Sequence, residues 1–292
     1  MQNLNRLKDE ILFTQSVDNF LQVYEEVAII KIKRIRDKVI SSREFIDALY
    51  PIVFEIRNFY LASKSKSKKR NSIPNYLQKN GETLFVLFTP NDRLIGDIAG
   101  KVVDNYLESV KKCPRSRSML VGKSGAKHTG EAFKPDYYFD FPDGLDKESN
   151  FDMINGLILQ YENVQIFYPK FISFVHQVSV EESITGEAIE NLIANKIAER
   201  DSGSRSNYIF EPSVEEVLHF FEREIFESYM RQKLLETSLS KYGSRIKSLE
   251  DAEKNTENVL NKLKKQAFII DKSVKNSSQL ERVAGMTLWS DS

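Results

Sequence analysis

The chain has 292 residues, 41% of them hydrophobic and 29% charged, and its 42 basic residues balance 42 acidic ones, with a mean hydropathy of −0.41. That composition supplies a core, excludes an integral membrane protein and leaves no net field to draw the whole chain to nucleic acid or an acidic bilayer, so partners must be recognised by shape and local patches. A single cysteine, Cys113, forms no internal disulfide, and His128, His176 and His219 make no metal-ligand cluster with it.

Met1 to Glu10 is polar and amphipathic without a signal-peptide core, and no run approaches the roughly 18 apolar residues that span a bilayer. The expected location is the cytoplasm. Apolar residues then recur in steps of three and four at Leu4, Leu7, Ile11, Val17, Leu21, Tyr24, Ala28, Ile32, Ile35 and Val39, which predicts a helix. No glycine precedes Gly81 and the first proline is Pro51, so the helix has about fifty residues, or about 75 Å, before anything obliges it to bend. The run Ser63 to Arg70 is strongly basic. It is read either as a solvated loop or as a contact to a phosphate backbone.

Leu84 to Thr89 predicts a buried strand, followed by a turn at Pro90-Asn91-Asp92 and a helix through Ile98, Val102, Val103, Tyr106, Leu107 and Val110. Further strands are expected at Ser118 to Val121 and Tyr137 to Phe141, a helix at Asn150 to Gln160, one or two strands in Val164 to Val180, a helix at Ser183 to Glu199 and a serine-rich loop at Arg200 to Asn207. This alternation argues for a partly parallel, Rossmann-like sheet with helices packed on it. The loop after the first strand has only Gly96 and Gly100, too few for a dinucleotide fingerprint. Gly122-Lys123-Ser124 matches the end of a phosphate-binding loop, but the glycine needed five residues earlier is Arg117. A surface turn is the expectation there. No acid, base and nucleophile set is evident, so neither an active site nor a cofactor is expected.

After Pro212, Ser213 stands three residues before Glu216 in capping-box spacing. Leu235, Leu239, Tyr242, Ile246, Leu249, Ala252, Thr256, Val259, Leu263, Ala267, Ile270 and Val274 then alternate steps of three and four, the pattern of a coiled coil. This helix is expected to run to about Trp289, about 110 Å. Its natural partner is the N-terminal helix, region 4–48 against 225–275 and antiparallel, because each stripe reads as too narrow for a globular core. Periodicity alone leaves open whether such a coil merely dimerises or spaces two bodies.

The fold class read from the chain is therefore α/β plus a long antiparallel coiled coil, with the terminal helices paired around a small inserted domain. The segments are 1–62 for the first helix, 63–82 for a basic linker, 83–207 for the α/β domain and 208–292 for the last helix.

That plan resembles the gamma subunit of F-type ATP synthases, and local sequence agrees. Leu7-Lys-Asp-Glu-Ile11 through Val27-Ala28, Lys31, Lys33-Arg34 and Ser42-Arg43 resembles the family's first helix. Phe85 to Gly96 is similar to its first strand and loop, with Asn91 in place of an aspartate and Arg93 and Asp97 in place of glycines. Tyr208-Ile-Phe-Glu-Pro212, Gly243-Ser-Arg-Ile246 with Asn255 and Asn258, and Gln279 to Met286 are similar to the opening, middle and close of its last helix. The resemblance implies a rotor shaft coupling ion flow to ATP chemistry, standing in a ring of alpha and beta subunits and resting on a membrane rotor ring and an epsilon subunit. It implies a peripheral place on the cytoplasmic side of the membrane, with neither bilayer insertion nor nucleic acid. The implied rotor contacts are Lys31, Arg34, Asn91, Gly96, Arg245, Lys272, Lys275, Gln279 and Glu281. Lys262, Lys264, Lys265, Lys272 and Lys275 make the last helix basic, either to meet acidic loops during rotation or as a solvated face. The competing reading is a cytoplasmic coiled-coil adaptor whose basic loop at 63–70 binds nucleic acid.

Overall fold

A computed structural model describes residues 2–64, 80–92, 98–130, 133–142, 148–173, 176–184 and 210–290, the side chains of 2–3, 61–64, 148–149 and 284–290 aside. The expected helix at Ser183 to Glu199 and the loop at Arg200 to Asn207 fall almost wholly outside them.

The elements in chain order are α1 (Gln2–Lys64), β1 (Thr83–Phe88), α2 (Ile98–Lys112), β2 (Arg117–Val121), α3 (Lys123–Thr129), β3 (Tyr137–Phe139), α4 (Glu148–Ile158), β4 (Asn163–Phe171), β5 (Gln177–Ile184) and α5 (Val214–Ser290). The first helix continues through Pro51. At the start of α5 the Ser213 hydroxyl accepts a 3.2 Å hydrogen bond from the Glu216 backbone N–H. That bond satisfies one of the donors left over at a helix N-terminus, as the capping spacing predicts.

The chain forms two compact units, Met1–Ile30 with Arg245–Ser292, and Lys31–Ser244. In the first unit the two chain ends pair. Gln22 donates to Glu253 across the pair (3.2 Å), and Arg6, Asp9, Glu10, Phe13 and Thr14 share a groove with Val259 and Leu263. Low numbers on α1 meet high numbers on α5, so the pairing is antiparallel. The seam departs from the apolar pattern in two places. Tyr24, expected in the stripe, is 60% exposed, and Glu25 takes the inward position. On α5, Leu260 turns inward and Val259 outward.

In the second unit the sheet order is β3-β2-β1-β4-β5. The pairs β1–β2, β1–β4 and β2–β3 are parallel, while β4 and β5 form an antiparallel pair from Val164↔Ile184 to Phe171↔Gln177. Strand alternation sends Leu84, Val86 and Phe88 to one face with Ile154 and Ile158 of α4. Phe85 and Leu87 go to the other, under Val102, Val103 and Tyr106 of α2. A three-layer arrangement results.

One expectation is corrected here. The terminal stripes are not too narrow for a globular core: Val53, Ile56 and Tyr60 of α1 and Leu218, Phe226 and Met230 of α5 join the first sheet face. Both helices widen their apolar surface near the sheet, where one side meets strands and another side meets helix.

Candidate functional site

Residues 233–246 of α5 are buried nearly all the way round, although Lys233, Glu236, Thr237, Ser240, Lys241 and Ser244 interrupt the apolar positions. Such a helix is stable only if its polar groups find partners inside the fold. Most of them do. The Lys233 ammonium lies 2.6 Å from Oε2 of Glu182 on β5 and donates to the Tyr168 hydroxyl on β4 at 3.0 Å. Tyr168 in turn donates to Glu182 Oε1 at 2.8 Å, and Tyr229, one turn before Lys233, donates to Oε2. The ammonium also stands 4.3 Å from the centre of the Tyr229 ring and 4.9 Å from that of Tyr168, a favourable cation–π placement.

Electrostatics follow from this geometry. Burial alone pushes the Glu182 carboxyl upward, but the Lys233 charge and the bonds from Lys233, Tyr229 and Tyr168 outweigh it and hold the group below its ordinary value. Burial, then the Glu236 and Glu182 charges, push Tyr168 far up; burial and then Glu182 do the same to Tyr229. Both phenols therefore stay protonated and serve as donors. Farther along, the buried Glu236 meets Arg43 of α1 at 3.4 Å. Lys241 reaches Asp92, in the loop after β1, at 2.7 Å, and Ser244 donates to Gln177 at 3.0 Å. Between them Gly243 lets the helix approach β4: a Cβ there would lie 2.6 Å from the Phe171 ring.

Two turns of sequence read as loops are also built into this unit. The Asn91 amide donates to the Phe141 carbonyl (2.8 Å) while its oxygen accepts from the backbone N–H groups of Lys123 (3.2 Å) and Phe141 (3.1 Å). Gly122-Lys123-Ser124, expected as a surface turn, instead opens α3. Four consecutive N–H groups there are spent internally: Gly122 on the Phe139 carbonyl and Ser124 on that of Pro90, Lys123 on Asn91 and Gly125 on the Thr89 hydroxyl. Gly122 has φ +105, and a Cβ on it would sit 1.7 Å from the Thr89 carbonyl oxygen. The donors a phosphate would need are already taken. His128 Nδ1 donates to the Ser124 carbonyl at 2.9 Å within the same helix.

The residues singled out in the sequence are spread over two helices and a loop. Lys31 and Arg34 are exposed on α1; Arg245 is half-buried on α5; Lys272, Lys275, Gln279 and Glu281 are exposed farther along it. Lys275 pairs with Asp271 one turn back at 2.7 Å. Asn91 is half-buried in its hydrogen bonds, and Gly96 lies outside the described residues. Sequence reading missed Lys233, Glu182 and Tyr168, whose polar character reads as solvent-facing. Among the described residues no group of three or more histidine, cysteine or acidic side chains could hold a metal, and no helix is long and apolar enough to cross a membrane.

Two long terminal helices whose ends pair with each other, with an α/β sheet between them in the chain that packs on both, define the class of fold. The chain matches the ATP synthase family over residues 3–267. It is 26% identical over 263 residues to the ATP synthase gamma chain of Mesoplasma florum, 87% of each chain. To that of Brevibacillus brevis it is 24% identical over 275 residues, 90% of each. A central-stalk and c-ring structure of the Tetrahymena thermophila mitochondrial ATP synthase shares the fold, with a TM-score of 0.57 at 18% identity over 80% of this chain and 99% of that one. The chain belongs to the ATP synthase gamma-chain family. This membership decides against the adaptor reading, whose basic run lies outside the described residues from position 65 onward.

Proposed function

We propose that the chain is the turning central stalk of an F-type ATP synthase and couples ion movement through a membrane ring to ATP chemistry in a ring of alpha and beta subunits. The observation that carries the mechanical part is the exposed apolar surface of α1 in the paired-end unit. Leu12, Phe20, Val23 and Tyr24 are 57–66% exposed, on a helix that packs along α5 through its other side. A free coiled coil places charged residues on its outer faces, and contiguous apolar surface of this kind marks an interaction site. A surrounding ring of catalytic subunits covers it.

The two-helix construction suits the task, because a pair resists bending and twisting better than one helix of the same length. An epsilon subunit completes the stalk, and the complex lies on the cytoplasmic side of the membrane without inserting this chain into it. The test is to purify the tagged chain and ask whether nucleotide-binding subunits accompany it, then to fix those subunits to a surface and watch the chain turn during ATP hydrolysis. Recovery of the chain without any ATPase subunits would overturn the reading.

A further inference from the structure

The Lys233–Glu182 pair is one of the enclosed ion pairs of the sheet unit, its lysine side chain only 6% exposed, and turning as a stalk does not by itself account for it. A buried ion pair is weak evidence for stability, since apolar replacement of both partners is often neutral or favourable. What such groups supply best is register, because charge-assisted bonds are directional whereas apolar contact is not. Here the directions are specific. The carboxylate of one edge strand receives three donors, two of them from α5 at Tyr229 and Lys233 and one from the neighbouring strand at Tyr168. The same ammonium also bonds the Tyr168 hydroxyl, so both strands of the β4–β5 pair hold one face of one helical turn. Rotating α5 about its axis by a single residue, roughly 100°, would break the three bonds that α5 makes through Tyr229 and Lys233 and leave a buried carboxylate and ammonium apart.

Resting on the rotor reading, we infer that Lys233 and Glu182 are positioning residues that lock the azimuth of α5 against the sheet, so that torque applied to the sheet unit turns the helix instead of slipping past it. Apolar side chains around them supply cohesion; this pair supplies the key.

The experiment compares the assembled enzyme carrying the wild-type chain with one carrying Lys233→Met together with Glu182→Leu. These replacements keep volume and remove both charges, so no ion is left buried alone. Thermal melting of the isolated chain should be unchanged or higher. In the assembled enzyme the torsional stiffness of the stalk, read from the angular fluctuations of an attached bead, should fall, and fewer ions should be pumped per ATP hydrolysed. Lys233→Arg, which keeps the charge and its donors, should restore both readouts toward wild type. A double variant that melts normally and turns with wild-type stiffness and ion yield overturns this inference alone. A wild-type chain that does not assemble with ATPase subunits overturns the rotor reading and this inference with it.

Discussion

The Gly243 backbone and the Phe171 ring are packed so closely that a single added methyl group would come within 2.6 Å of the ring carbon Cε2 and 2.9 Å of Cδ2. Glycine inside a helix costs about 1 kcal/mol relative to alanine, and overpacking costs about 1–3 kcal/mol. The two effects oppose each other, and the clash is expected to win. Gly243→Ala should destabilise the chain by about 1 kcal/mol in denaturant melts, and Gly243→Val by more. Adding Phe171→Leu should reverse most of the alanine effect. A more stable Gly243→Ala chain would show that the ring yields freely and that helix propensity dominates.

Asp136 ties β3 to β2. Its carboxylate accepts from the Ser118 N–H (2.8 Å) and hydroxyl (2.7 Å) and from Arg117 (2.9 Å), and its own N–H returns a bond to the Ser118 hydroxyl. Burial pushes this group up, but the Ser118 and Arg117 bonds and the Arg117 charge bring it below its ordinary value of 3.8. Glu182 is likewise depressed from 4.5. A carboxyl lowered on folding stabilises above its unfolded value and loses that contribution as pH falls through the folded one. Stability should therefore decline on acidification below about pH 4.5. Asp136→Asn should cost about 1–3 kcal/mol at neutral pH, and its difference from wild type should shrink in acid. Parallel melting curves for both proteins from pH 7 to pH 3 would refute the role given to this carboxylate.

No nucleotide is expected to bind at Gly122-Lys123-Ser124, because the four N–H groups at that turn already have acceptors. Calorimetric titration of the isolated chain with magnesium and ATP should give no heat of binding in the micromolar range. Micromolar affinity that disappears in Lys123→Ala would contradict this.

Removing Thr287–Ser292 should leave the isolated chain folded, since the two sheet-face cores draw on α5 only as far as Leu234. Circular dichroism and melting report the outcome, and loss of the folded state would show that the last residues are packed. By contrast, changing Lys264, Lys265, Lys272 and Lys275 together to glutamate should preserve helix content while weakening assembly with the catalytic subunits about tenfold through like-charge repulsion. Part of any helix destabilisation belongs to Asp271, which would lose its 2.7 Å partner. Normal assembly and ATP turnover would make these lysines a solvated face.

Much of the architecture was legible in the residues themselves. Steps of three and four, with no glycine or proline before Pro51 in the first stripe and no proline in the second, predict both long helices, and Ser213 with Glu216 marks the start of the second within a residue of where it lies. The run at Leu84 to Thr89 locates β1 because a strand buried on both faces must be continuously apolar. Periodicity reports which side of a helix is hidden, however, and not what hides it. Hence the apolar stripe puts Tyr24 in the seam that Glu25 occupies, and it does not reveal the sheet-facing use of Val53 and Phe226. The keyed site lay further out of reach. Lys233 is separated from Tyr168 by 65 residues and from Glu182 by nearly as many, and a lysine, a glutamate and a tyrosine each have the composition of surface. Only the tertiary structure decides that they meet in the interior, because a charge is tolerated there solely when distant segments bring its partners to it.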